Sequence, residues 1–149
     1  MTEKTQVAGL PTSSKVLCAG YALIAIAALI ATWSQNIAYL DSESFLMSFA
    51  NDTKASPAAR SITVDLFLFG LPVAILMVAE ARKHSIKFVW AYILGSAITA
   101  ISVTFPLFLI ARELRIARTD PTHLRMTDVI TLSIAAFVIA AIVIWVDFA

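Results

Sequence analysis

Two carboxylates, Asp65 and Glu80, close the ends of a stretch that otherwise holds only apolar or small residues, LFLFGLPVAILMVA. An acid at the edge of a lipid-buried helix can take up a proton or a cation. From a half-buried position it can also protonate an alkene or an epoxide. On a helix the two acids lie about 60° apart around the axis and about 22 Å apart along it, so they do not form a carboxylate pair for acid–base work. The structural alternatives are simpler. Asp65 can pair with Arg112 or accept a hydrogen bond from Asn36, and Glu80 with Arg82 can form an interfacial rim beside Lys15 or Lys87. Glu80 and Arg82 can also hold a ligand head group, with the rim as the favoured reading.

Other chemistries find little support. Cys18 is the single cysteine, so no intrachain disulfide or redox pair can be built from it. His84 and His123 fall alone in expected loops, without metal-ligand spacing. The serines have no His/Asp pattern beside them, and four glycines in 149 residues leave no phosphate-cradling loop. No catalytic residue, metal or cofactor is expected on these grounds.

The elements that must position the two acids follow from composition. Hydrophobic residues make up 60% of the chain and charged residues 14%, with mean hydropathy +0.86. Soluble domains run near 45–50% apolar and 25% charged. The charges here fall in short clusters between long uncharged runs, which is the pattern a bilayer selects. A net charge of +1 gives no general attraction to nucleic acid.

The expected fold is all-α: an integral membrane four-helix bundle in one domain, residues 1–149, with spans at about 16–34, 60–81, 87–111 and 128–147. Lys4 and Lys15 before an apolar run resemble the charged start of a signal peptide, but the run is too long for one, and it reads as a retained first span. Between spans 1 and 2, Asp41 to Ser44 can cap a short helix. Phe45, Leu46 and Phe49 then share one side, suggesting an amphipathic helix in the interface. Asn51-Asp52-Thr53 ends it.

Ser56-Pro57 is a helix start, with Ser as cap and Pro at the first turn. Pro72 predicts a kink in the second span. The third, Phe88 to Ala111, is uncharged throughout and roughly 36 Å long as a helix, with a kink at Pro106 near its end. Its Gly95, Ser96 and Ala97 permit close contact with another helix. Arg112, Arg115 and Arg118 continue at helical spacing beyond it, where they can meet anionic lipid heads or solvent. Asp120-Pro121 can open a further helix. Trp33, Trp90 and Trp145 read as belt aromatics.

Four straight crossings place both termini on one face. They gather Asn36, Asn51, Asp65, Arg112 and Glu113 near one face and Glu80, Arg82 and Trp90 near the opposite one. Lys and Arg divide almost evenly between the faces, so orientation is weakly signalled. The first helix leans the terminal face toward the cytoplasm of a bacterial cell.

The chain between about Lys15 and Arg118 resembles a small bacterial membrane-protein family of unknown function. The residues that carry the resemblance are Trp33 and Asn36, Phe49-x-Asn51, Asp65-Leu66, Glu80-x-Arg82, Trp90-x-Tyr92, Pro106 to Leu109 and Arg112-Glu113. The fourth span lies outside it. The resemblance implies a polytopic membrane protein and brings no activity with it. In size and charge balance the chain is also similar to small four-helix multidrug exporters, but its first span lacks their glutamate. Membrane carotenoid and terpene cyclases are likewise short and apolar, but their Pro-x-Glu-Glu signature is absent, the local text being Val78-Ala79-Glu80-Ala81.

Three functions remain. The first is a non-enzymatic membrane subunit, scaffold or lipid-binding module, with the bilayer and a homo-oligomer or partner membrane subunit as its contacts. The second is a small ion- or proton-coupled transporter using Asp65. The third is a membrane enzyme acting on an isoprenoid or another lipid through Asp65 or Glu80.

Overall fold

The fold is that of a computed structural model, which describes residues 9–117, 119 and 124–148. Among these residues there are six α-helices and no strand. In order they are α1 (Thr12–Asn36), a 3-10 turn at Ile37–Tyr39, α2 (Phe45–Asp52), α3 (Pro57–His84), α4 (Val89–Thr99), α5 (Ile101–Ile116) and α6 (Met126–Phe148). Three stretches are long and apolar enough to cross a membrane: Thr12–Tyr39, Pro57–His84 and Met126–Asp147. Arg118, Asp120, Pro121 and His123, together with Lys4, lie outside the described residues.

Local chemistry explains several of these elements. The Ser56 hydroxyl accepts from the backbone N–H of Ala59 at 3.0 Å, with Pro57 as the first helical residue, so α3 begins where its cap dictates. Pro72 sits inside α3 without interrupting it. The expected short helix before it is α2. Phe45 and Phe49, one helical turn apart, lie parallel with ring centroids 6.2 Å apart. Tyr39 packs edge-on against both, and its hydroxyl donates to Asp52 Oδ2 at 2.8 Å. That knot joins the end of α1 to α2.

The third apolar run is not one straight helix. It breaks at Ala100, whose φ of 96° and ψ of 149° end α4 and redirect the chain into α5. The two helices then pack against each other as a hairpin. Tyr92 on α4 meets Phe108 on α5 edge to face, with centroids 5.8 Å apart. Gly95 faces α5 at this contact: a Cβ there would stand at ordinary contact distance, 3.7 Å, from the Thr104 methyl. The small residues expected to serve an oligomer face therefore serve, at Gly95, an internal contact. The break falls at Ala100 and not at Pro106, which is buried within α5.

Helix α5 is the axis of the molecule. It packs on α1, α4 and α3, and it carries more buried residues than any other described helix, including Val103, Phe108 and Ile116. Phe108, with no exposed surface, and Met77 of α3, 1% exposed, are the largest fully enclosed side chains among the described residues. Helix α6 is the opposite case. None of its most apolar window is buried, and among the described residues its main contact with the rest of the chain is along α1.

Candidate functional site

The turn at Ala100 decides which polar groups meet. Straight crossings put Glu80 and Arg112 at opposite ends of the molecule. With the hairpin folded back, the last turns of α3 and α5 lie at the same end, and the Arg112 Nε–H donates to Glu80 Oε2. His84 is the final residue of α3 and not a loop residue, and it places Nε2 3.4 Å from the same carboxylate oxygen. The three side chains are between 17% and 29% exposed. This is a half-buried ion pair with a histidine beside it. The carboxylate and the guanidinium it touches clasp the last turns of α3 and α5 together.

Glu113, next to Arg112, turns inward and is 2% exposed, on the side of α5 that faces Cys18 and Tyr21 of α1. The start of α1 therefore lies at the Glu80–Arg112 end. Arg82 and Trp90 belong to that end too, but both are exposed and point away from the pair. They wall an open basin of about 500 Å³ at the α3–α4 turn.

The other expected residues do not join this group. Asn36 closes α1 and Asn51 lies exposed on α2, and neither makes a side-chain hydrogen bond among the described residues. Asp65 is exposed on α3 and makes neither an ion pair nor a hydrogen bond among the described residues, so the expected link to Arg112 or Asn36 is not formed. It lines a shallow hollow of about 540 Å³ along α3, together with Arg60. The Arg60 guanidinium is held elsewhere, donating from Nη1 to the Lys54 carbonyl at 2.8 Å.

A family model described as a protein of unknown function, DUF2834, matches residues 21–114. The chain belongs to this family. The DUF2834 segment opens inside α1 and closes within α5, so it contains the hairpin and both partners of the Glu80–Arg112 pair, and it leaves out α6. Comparison with curated proteins and with solved structures finds no match to either.

Proposed function

We propose that the chain is a non-enzymatic integral membrane subunit that completes its packing by lateral association, with Asp65 as the point where the partner bears. Asp65 itself carries the reading. If the hydrocarbon zone is centred on α3, Asp65 lies roughly 6 Å inside it, exposed and without a partner among the described residues. A carboxylate turned toward acyl chains costs several kcal/mol. A donor on a neighbouring helix removes that cost. The bare flank of α3 and nearly all of α6 supply area for such a contact. The test is native mass spectrometry of gently extracted protein. The expected species is a complex that Asp65→Ala dissociates, and a partner-free monomer in the parent protein would end the proposal.

The same lone acid also supports a second reading, proton- or ion-coupled transport. There, Asp65→Asn abolishes flux in vesicles while the complex persists, and unchanged flux removes the idea. The lipid-enzyme reading is weaker, because Glu80 is engaged by Arg112 and His84.

In the arrangement proposed, α1, α3 and α6 cross the membrane and the α4–α5 hairpin enters and leaves on one side. Helix α4 has 11 residues, a rise of about 16 Å against a hydrocarbon core near 30 Å. Three crossings put the ends of the chain on opposite faces, in place of the shared face that four crossings would give. The hairpin also reassigns charge. Lys15, Arg82, Lys83, Lys87, Arg112 and Arg115 fall at one end, with Lys54 and Arg60 at the other. That asymmetry directs the Glu80–Arg112 end to the cytoplasm.

A further inference from the structure

Within six residues the α3–α4 connection carries Arg82, Lys83 and Lys87. Arg82 and Lys87 have no carboxylate within ion-pair distance among the described residues, whereas Glu80 neutralises Arg112 at the same end and also feels the charge of Lys83. All three side chains are exposed. Ser85 (φ 53°), which ends α3, and Phe88 (φ 61°), which precedes α4, are both left-handed. Ile86 between them is 8% exposed and pins the turn into the core. Lys87 and Phe88 line the 500 Å³ basin together with Arg82 and Trp90.

A second feature continues from the basin. Trp90, Leu94 and Ile98 follow at i, i+4 and i+8 on α4 and are 55%, 69% and 70% exposed. They form one apolar track leading from the cationic rim toward the hairpin tip. The positive charge of Arg82 and Lys87 on the basin wall, joined to an apolar track about 12 Å long, fits a molecule with an anionic head and a hydrocarbon tail.

We propose that the α3–α4 turn is a site for an anionic glycerophospholipid, the phosphate seated between Arg82 and Lys87 and one acyl chain lying along Trp90, Leu94 and Ile98. The site rests on the membrane placement of the preceding subsection and not on lateral association. Each basic residue near an anionic surface favours binding by a few-fold, so two together select an anionic head over a zwitterionic one on the order of tenfold. Choline heads gain little from unpaired cations.

The test uses the full chain with Trp33→Phe and Trp145→Phe, leaving Trp90 as the reporter, in bilayer nanodiscs of phosphatidylcholine. Brominated phosphatidylglycerol or brominated phosphatidylcholine is added at equal small fractions. The expected result is stronger quenching by brominated phosphatidylglycerol, lost to parity in the Arg82→Gln/Lys87→Gln variant, with 10 mM inorganic phosphate leaving it unchanged. Equal quenching by the two lipids in the parent overturns the site alone. A preference erased by inorganic phosphate assigns the basin to free phosphate and overturns the lipid. Quenching by neither lipid overturns the membrane placement and the site with it. Asp65→Ala in the same background keeps the preference, which separates this result from the association test.

Discussion

Glu80 and Arg112 lie 32 residues apart in the chain and share one ion pair across the α3–α5 interface. The pair ties the hairpin's outgoing arm to the preceding long helix. The contact requires that the intervening apolar run turn back on itself, so it reports on the reversal as well as on local charge.

Breaking this clasp from one side leaves a half-buried charge without its counter-charge. Glu80→Gln is expected to lower stability in detergent by about 1–3 kcal/mol. Arg112→Gln should do the same, and the double variant should recover part of the loss. A double-mutant cycle in mild denaturant gives the coupling, expected on the order of 1 kcal/mol. Additive losses would show that the two side chains act independently.

Ala100 holds a backbone conformation that costs an alanine of order 1–3 kcal/mol and a glycine much less. Ala100→Gly should therefore stabilise the protein by roughly 1 kcal/mol, read as a rise in thermal midpoint. Ala100→Val should do the reverse, since a β-branched side chain is strained there further. A fall in midpoint for the glycine variant would contradict the reversal at this residue.

Packing at the hairpin waist predicts a size threshold. The space beside Gly95 admits a methyl at ordinary contact distance, 3.7 Å from Thr104. Gly95→Ala should be tolerated or mildly stabilising through its helix propensity, by up to about 1 kcal/mol. Gly95→Leu should separate α4 from α5 and lower the thermal midpoint by several degrees, because overpacking costs about 1–3 kcal/mol. Equal tolerance of both variants would mean the helices are not in contact there.

Chain topology can be read by thiol labelling. In a Cys18→Ser background, single cysteines at Thr12 and Thr119 should react from one side of sealed vesicles. Those at Glu43 and Asp147 should react from the other. Labelling of Thr12→Cys and Asp147→Cys from the same side would restore an even number of crossings.

Several elements were legible from residue types alone. Ser56-Pro57 announced the start of α3 because both preferences act locally, through one cap bond and one fixed φ. The helix after Ser44 was readable from the spacing of Phe45 and Phe49. Membership in the family of unknown function was readable from short motifs in a fixed order, and the family match covers the segment they occupy.

The reversal at Ala100 was not legible. The text around it, Ala97 to Ser102, contains neither glycine nor proline, and Pro106 drew attention to the wrong turn of helix. An uncharged run of span length reads as a span unless tertiary packing overrides it. The error then propagated, sending Arg112 and Glu113 to the end occupied by Asp65 and separating them from Glu80. One signal pointed the other way: straight crossings divide Lys and Arg almost evenly between the two faces, which is unusual for a membrane protein. Folding the third run back removes that evenness.

The half-depth hairpin has a mechanical consequence. With the crossings as proposed, one leaflet accommodates sections of α1, α3, α4, α5 and α6, whereas the other accommodates the sections of α1, α3 and α6 beneath the short α2. Such a body tapers from one side of the sheet to the other. A tapered inclusion sits with less elastic stress where lipid bends than where it lies flat, so in the proposed arrangement the shape of this protein would couple its lateral distribution to the curvature of the surface that holds it.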